Sequence, residues 1–382
     1  MRCTKAIIYK ENLINNINEI KKNLNSGVKL CCAVKADGYG NDAITSARIF
    51  EEMGAEYLAI ATIDEGIELR NAGIKANLLM LSLCTYEEFP DLIKNNITPL
   101  VFDSEYIGVL NKVACELQKK DYPVFLAVDT GMGRIGCYKE EAAALAKIIE
   151  ESSNLHLAGI ITHFAVSDGI KSKDIEYTKK QYADFLEAIN NVKKIGINPG
   201  IRTCCASAAG IALAEMQLDM IRPGIILYGY YADEVTKEYL EKKGIRLNLK
   251  PVMQFETEVC SIRRLLKNHP VSYGCTWSCN KETDIAVLPV GYADGLLRRN
   301  SPGMKVSING KAYPIVGRIC MDQCMVDIGL NNKDVKRWDK AIIFGPKDRG
   351  SIFDANDIAK MTGTISYEVM TSLSKRVKRI VK

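Results

Sequence analysis

A lysine, Lys35, closes a short apolar run at 30–34 and is followed by Ala36-Asp37-Gly38-Tyr39-Gly40. An ammonium at the end of a buried strand loses hydration, so its pKa falls and the free amine becomes available as nucleophile or base. Lysines in that setting form Schiff bases with aldehyde cofactors. Other reactive types also follow or adjoin apolar runs: Asp129-Thr130-Gly131-Met132-Gly133-Arg134, His163-Phe164-Ala165, Ala206-Ser207-Ala208 and Arg222-Pro223-Gly224-Ile225. Each has a bland reading taken alone, since most lysines are solvated and an isolated histidine after a strand usually just satisfies its neighbours. A lysine, two arginines, a histidine and a serine recurring at the same place in the local pattern point instead to one shared rim. There is no recognisable nucleotide loop, so a phosphate would be held by dispersed donors. Tyr39, Ser207, the N–H groups around Gly224 and Ile225, and Tyr367 supply such donors, and glycine permits close approach. That set suits a small phosphorylated cofactor better than a nucleoside triphosphate.

The elements that must position these residues follow a rhythm. Apolar runs at 30–34, 57–61, 78–82, 98–102, 124–128, 157–162, 200–204 and 225–228 alternate with helical stretches at 43–53, 64–72, 105–119, 140–151 and 175–192. Strands that alternate with helices pair in parallel, because parallel neighbours need a crossover. Eight of them close a barrel, whose chemistry collects where the strands end. An open doubly wound sheet is the rival, but no G-x-G-x-x-G follows the first strand. After Pro251 the pattern turns strand-like, with runs at 252–262, 284–290, 305–308, 312–316, 325–328 and 341–344, and Asn309-Gly310 reads as a two-residue hairpin turn. A short helix at 355–361 and a closing segment at 366–380 complete the chain. The opening residues 2–9 read as a strand that pairs with a distant sheet, and 12–24 as an amphipathic helix with Leu13, Ile17, Ile20 and Leu24 on one face. The expected fold class is therefore α/β: a (β/α)8 TIM-like barrel over residues 10–243, followed by a mostly antiparallel β domain over 244–382 that also takes the N-terminal strand 1–9.

Length and composition fit that division. At 382 residues two domains are the natural expectation, and 47% hydrophobic with 25% charged residues is ordinary for a soluble chain. A net charge of +5, scattered along the sequence, gives no concentrated basic face for nucleic acid. The cluster Lys375-Arg376-Val377-Lys378-Arg379 reads as a solvated end. No signal peptide and no membrane-length apolar run is present, which implies a cytoplasmic protein. The 13 cysteines suit that setting as small buried hydrophobes. Cys320 and Cys324 flank Met-Asp-Gln rather than forming a zinc knuckle, so no metal is expected.

The sequence resembles the alanine racemases over nearly its whole length. The blocks are A-V-K-A-D-G-Y-G (33–40), V-D-T-G-M-G-R-I-G (128–136), T-H-F-A (162–165), R-P-G-I-I-L-Y-G (222–229), V-S-Y-G (271–274), G-Y-A-D-G (291–295), G-R-I-C-M-D-Q (317–323) and I-S-Y-E-V (365–369), in order. The resemblance implies a barrel that binds pyridoxal 5′-phosphate and a homodimer in which each site is completed by the partner's β domain. It implies that Lys35 carries the cofactor as a Schiff base, and that Tyr39, Ser207, Gly224, Ile225 and Tyr367 bind its phosphate. His163 would lie against the ring, Arg134 would bond the phenolic oxygen and Arg222 would face the pyridine nitrogen. Tyr273, Met321 and Asp322 would enter from the other subunit, Tyr273 as a catalytic group and the other two at the substrate. Asp168, Arg318 and Ile365 match positions along the entrance corridor.

Such an assignment has physical logic. Racemisation removes a proton from one face of Cα and returns one to the other, so two opposed acid–base groups are wanted, here Lys35 and Tyr273. A tyrosine near pKa 10 is a poor base unless positive charge lies close. Guanidinium only donates, so Arg222 disfavours protonation of the pyridine nitrogen and suppresses transamination. Two positions depart from the family pattern. Ala127 stands where many members carry a modified lysine that orients the arginine, so Arg134 must be placed some other way, a bound anion being one. Ala206 stands where asparagine is common, which widens the pocket. The implied activity is interconversion of L- and D-alanine, supplying D-alanine for cell-wall peptidoglycan. The alternatives are a serine or broad-specificity racemase, a related decarboxylase, against which Arg222 counts, and a non-catalytic cofactor-binding protein, which would be a lone barrel.

Overall fold

In the computed structural model, which describes residues 2–382, the apolar runs of the first part of the chain are parallel strands. Lys29–Ala33 pairs with Tyr57–Ile60, then come Asn77–Met80 and Ile97–Thr98. Leu100–Val101 pairs with Tyr122–Ala127, followed by Leu155–Ile161 and Ile201–Thr203. Met220–Ile221 pairs with Lys29–Ala33. Pro99 has no N–H to give and divides the fourth strand, yet its carbonyl accepts from Phe125 N at 3.0 Å and keeps the wall continuous. Across the remaining seam, Arg222 N donates to Cys205 O at 2.9 Å and Thr203 Oγ1 to Met220 O at 2.7 Å. The result is an eight-stranded (β/α) barrel.

One expected strand lies elsewhere. The run 225–228 is a short 3₁₀ turn, and the eighth strand is Met220–Ile221 just before it. The run is apolar because it is buried beneath the helix Lys10–Lys21, not because it pairs in a sheet. Asn16 of that helix, fully buried, donates to Leu227 O at 3.0 Å and Lys250 O at 2.8 Å, while Tyr228 Oη donates to Ala33 O at 2.8 Å. The turn is thereby fixed to the end of the first barrel strand. Within that strand side chains alternate as a pleat demands. Cys31 and Ala33 join Ala59, Leu79, Leu100, Phe125, Ala127, Ile161 and Met220 in one buried cluster, and Leu30, Cys32 and Val34 join the larger core under the helices.

The second part of the chain is a mixed but mainly antiparallel sheet of nine strands. The opening strand Lys5–Ile8 lies in it, antiparallel to Met253–Glu258 and parallel to the terminal strand Lys378–Val381. Asn309 and Gly310, at φ 50° and 76°, turn Lys305–Ile308 into Lys311–Val316 as a tight hairpin. No helix among the described residues is long and apolar enough to cross a membrane.

The C-terminal segment reaches back to the barrel mouth at Gly40. Arg379, whose side chain is 10% exposed, donates to Gly40 O at 3.0 Å and to the carbonyls of Leu373, Ser374 and Val377 at 2.7–2.9 Å. Gly40 has φ 80°, and a Cβ there would lie 2.5 Å from Met370 O. Gly40→Ala should therefore lower unfolding stability by about 1–3 kcal/mol, read from urea denaturation. An unchanged midpoint would show that this contact is slack.

Candidate active site

After Lys35 the backbone makes one left-handed turn. Ala36, Asp37, Gly38, Tyr39 and Gly40 have φ of 52°, 55°, 60°, 54° and 80°. Left-handed backbone costs non-glycine residues about 1–2 kcal/mol each, so the turn persists only because its surroundings hold it. Gly38 N donates to Val34 O at 2.8 Å and Gly40 N to Ala36 O at 2.9 Å. Glu65 accepts from Ala36 N at 2.6 Å and Ala61 N at 2.7 Å, and Asn41 Nδ2 donates to Gly38 O and Tyr39 O at 3.1 and 3.0 Å. The turn places both Lys35 and Tyr39 in the wall of one cavity.

Those two residues line a cavity of about 590 Å³ at the mouth of the barrel, together with Arg134, His163, Ser207, Arg222, Gly224, Ile225 and Tyr367. All nine residues expected around a cofactor are thus gathered in one place, and Asp168 lies in the same wall. Burial, and next the charge of Arg134, push the Lys35 ammonium below the ordinary lysine range. Arg222 is buried, and its guanidinium donates to Thr203 Oγ1 at 2.6 Å, Thr162 O at 2.7 Å and Cys204 O at 3.3 Å. It also donates to His163 Nδ1 at 3.3 Å. Because guanidinium has no acceptor, Nδ1 must be unprotonated and His163 neutral. Burial, followed by the charges of Arg222, Arg134 and Lys35, pushes the imidazole pKa down to about 3.

The opposite end of the cavity is a polar cradle. Gly224 N donates to Ser207 Oγ at 2.9 Å, which leaves the serine proton free to donate. A Cβ on Gly224 would lie 2.6 Å from Tyr39 Oη, so only glycine allows the phenol to come this close. The Tyr39 ring stacks on Tyr228 at 5.1 Å and sits 5.7 Å from Tyr367, and burial pushes its phenol pKa up to about 12. Two neutral phenols, a serine hydroxyl and glycine backbone fit a phosphate group, and the amine and arginines beyond them fit the rest of pyridoxal 5′-phosphate. Ala127 and Ala206 lie in the wall as small side chains. Arg134 is exposed at its loop, and Ala127 offers it no polar group.

Five residues expected at the site or its entrance, Tyr273, Arg318, Met321, Asp322 and Ile365, are outside this cavity. Tyr273 is 69% exposed and Met321 52% exposed on the β domain, and Asp322 is exposed beside Met321. Arg318 lies against the residue following Tyr273, where a Cβ on Gly274 would be 2.7 Å from its Nη1. Glu65 and Arg379 were not read as site-building residues. The Thr62-x-x-Glu65 capping box was a legible signal for the first. The basic tail is not uniformly solvated as its composition implies: Arg379 is largely buried, and Arg376 donates to Asp322 at 2.7 Å.

Residues 8–232 match the N-terminal domain of alanine racemase and residues 252–381 match its C-terminal domain. The alanine racemase of Treponema denticola is 48% identical over 382 residues, covering 100% of this chain and 98% of the relative. The chain belongs to the alanine racemase family. It is an isomerase, and interconversion of L- and D-alanine is the reaction its family is named for. Another alanine racemase, that of Clostridium novyi, is 40% identical over 100% of this chain and 95% of its own. The solved alanine racemase of Clostridium difficile superposes with a TM-score of 0.92 at 36% identity, covering 100% of this chain and 96% of that one. The alanine racemase of Bacillus anthracis, solved with bound L-Ala-P, gives 0.90 at 32% identity, covering 100% and 95%.

Of the three imidazoles in the chain, His163 should stay neutral throughout the mildly acidic range. Its ring signals in NMR should not titrate between pH 8 and 5, and a midpoint near the ordinary 6.5 would contradict the arrangement around Arg222.

Proposed function

We propose that this alanine racemase family member holds pyridoxal 5′-phosphate in the barrel cavity and racemises alanine between Lys35 and the Tyr273 of a second copy. The observation that carries this is the gathering of Lys35, Tyr39, Arg134, His163, Ser207, Arg222, Gly224, Ile225 and Tyr367 around one cavity. Lys35 Nζ would hold the cofactor covalently. Tyr39, Ser207, Tyr367 and the backbone at Gly224 and Ile225 would hold its phosphate, with His163 against the ring. When bound, the cofactor supplies a sink for the electron pair left on Cα as the proton departs.

The remaining work falls to the chain itself. Arg222 presents a donor that cannot accept, pinned by Thr162 and Thr203, and so would keep a pyridine nitrogen beside it unprotonated. Arg134 would hold the phenolic oxygen. Lys35 Nζ would move a proton at one face of Cα, and burial, which lowers its pKa, favours the neutral amine. Tyr273 would move the proton at the other face, while Met321 and Asp322 would line the substrate pocket, with the N–H of Met321 donating to the substrate carboxylate. In one chain these three residues stand exposed, which suits groups that function across an interface. The working unit is therefore a homodimer with shared sites, each made by one barrel (residues 10–243) and the other copy's β domain (residues 244–382 with 1–9). The setting proposed is the cytoplasm, and the role is supply of D-alanine for peptidoglycan.

Incubation with pyridoxal phosphate and L-alanine or L-serine in D₂O tests this directly, by chiral chromatography and Cα deuteration. D-alanine should dominate. Comparable serine turnover would trace to the small Ala127 and Ala206 walls, and no inversion would overturn the proposal. Lys35→Ala should abolish the absorbance of bound cofactor. Tyr273→Phe should slow proton exchange from one enantiomer by about 100-fold or more relative to the other, and equal loss in both directions would exclude two opposed groups.

A further inference from the structure

The G-Y-A-D-G motif at 291–295 takes no part in the chemistry above, yet its aspartate is fully buried and charged neighbours surround it. Asp294 has a side-chain exposure of 0% and receives Arg2 through two contacts of 2.5 and 2.8 Å. Its Oδ2 also accepts from Gly291 N at 3.0 Å. The Arg376 Nε lies 3.4 Å from Asp294 Oδ1, and Nη2 of the same guanidinium donates to Asp322 Oδ1 at 2.7 Å. One arginine thus spans a buried carboxylate and the carboxylate next to Met321.

The backbone of the same motif holds the other side of that loop. Tyr292 N donates to Cys320 O at 3.1 Å and Ala293 N to Met321 O at 3.0 Å. A Cβ on Gly291 would lie 2.3 Å from both of those carbonyls, so a glycine is required for the two loops to meet. With both preceding carbonyls fixed, the peptide planes around Met321 and Asp322 are fixed as well.

We infer that Arg376 is a positioning residue for recognition of the substrate carboxylate: it anchors the Met321-Asp322 loop to Asp294 and neutralises Asp322 where an anion must approach. The inference rests on the proposal that Met321 and Asp322 serve the substrate end of a second copy's cavity. Without the guanidinium, Asp322 would repel a carboxylate and the loop would lose its tether. Asp294 keeps Arg376 in reach because a fully buried carboxylate cannot be left with too few cations.

The test uses the dimeric holoenzyme. Arg376→Met should raise the alanine KM about tenfold, the worth of one charge-assisted contact, with kcat changed less than about twofold. Binding of ethylamine, which offers the same amine without a carboxylate, should be unchanged when followed by cofactor absorbance. Arg376→Lys should recover part of the loss. Adding Asp322→Ala to Arg376→Met should lower KM again, because the repelling charge is gone. Equal weakening for alanine and ethylamine would mean a merely structural role and would overturn the inference. So would an unchanged KM in Arg376→Met. In that case a raised KM in Asp322→Ala alone would leave the assignment of Asp322 standing, and no change in either variant would remove both.

Discussion

Three cations meet at the barrel mouth against two wall carboxylates, Asp129 and Asp168, and much of the site's design follows from that imbalance. Lys35, Arg134 and Arg222 all line the cavity, and burial reduces the hydration of Lys35 and Arg222. Two of the acids nearby are committed to backbone N–H groups. Asp129 accepts from the N–H groups of Gly131, Met132 and Gly133 at 2.8–3.1 Å, and Glu65 from Ala36 and Ala61. His163 responds by staying neutral. A site so charged favours an anion, and the proposed phosphorylated aldehyde would bring one to it while engaging the lysine. The left-handed turn belongs to the same design. It spends backbone strain to bring the amine and the Tyr39 phenol to one place, and Arg379 and Gly40 tie it to the far end of the chain.

A single barrel rim approaches a planar carbon from one side, whereas inversion requires groups on both. That constraint gives the β domain its proposed role. Tyr273, Met321 and Ile365 stand 69%, 52% and 55% exposed in the single chain, accessible to a second copy. As parts of a second copy's site they become an interface. The network from Arg2 through Asp294 and Arg376 then has a purpose at a distance from the chemistry, since a residue lent to another chain needs a rigid support in its own.

Much of this was legible in the sequence because barrel strands are short, apolar and regularly spaced, and because chemistry gathers at their ends. The rest was hidden for identifiable reasons. A buried aliphatic run such as Ile225-Ile226-Leu227-Tyr228 carries no periodicity that separates a strand from a turn packed under a helix. Gly38 and Gly40 announced a loop, but nothing local required Ala36 and Tyr39 to take positive φ. That conformation is imposed by Glu65, Asn41 and the C-terminal segment. The basic tail looked solvated because its partners, Asp294, Asp322 and the carbonyl of Gly40, are more than fifty residues away in sequence.

The most direct test of a site shared between two chains is complementation within one dimer. Lys35→Ala and Tyr273→Phe chains, each inactive or nearly so, would be co-assembled and the mixed dimers isolated by two different tags. If Lys35 of one copy works with Tyr273 of the other, each mixed dimer contains one intact site and one doubly altered site. It should then recover roughly half the activity of the unaltered dimer. If Tyr273 instead serves its own barrel, both sites carry one lesion, and mixed dimers no more active than their parents would contradict the account.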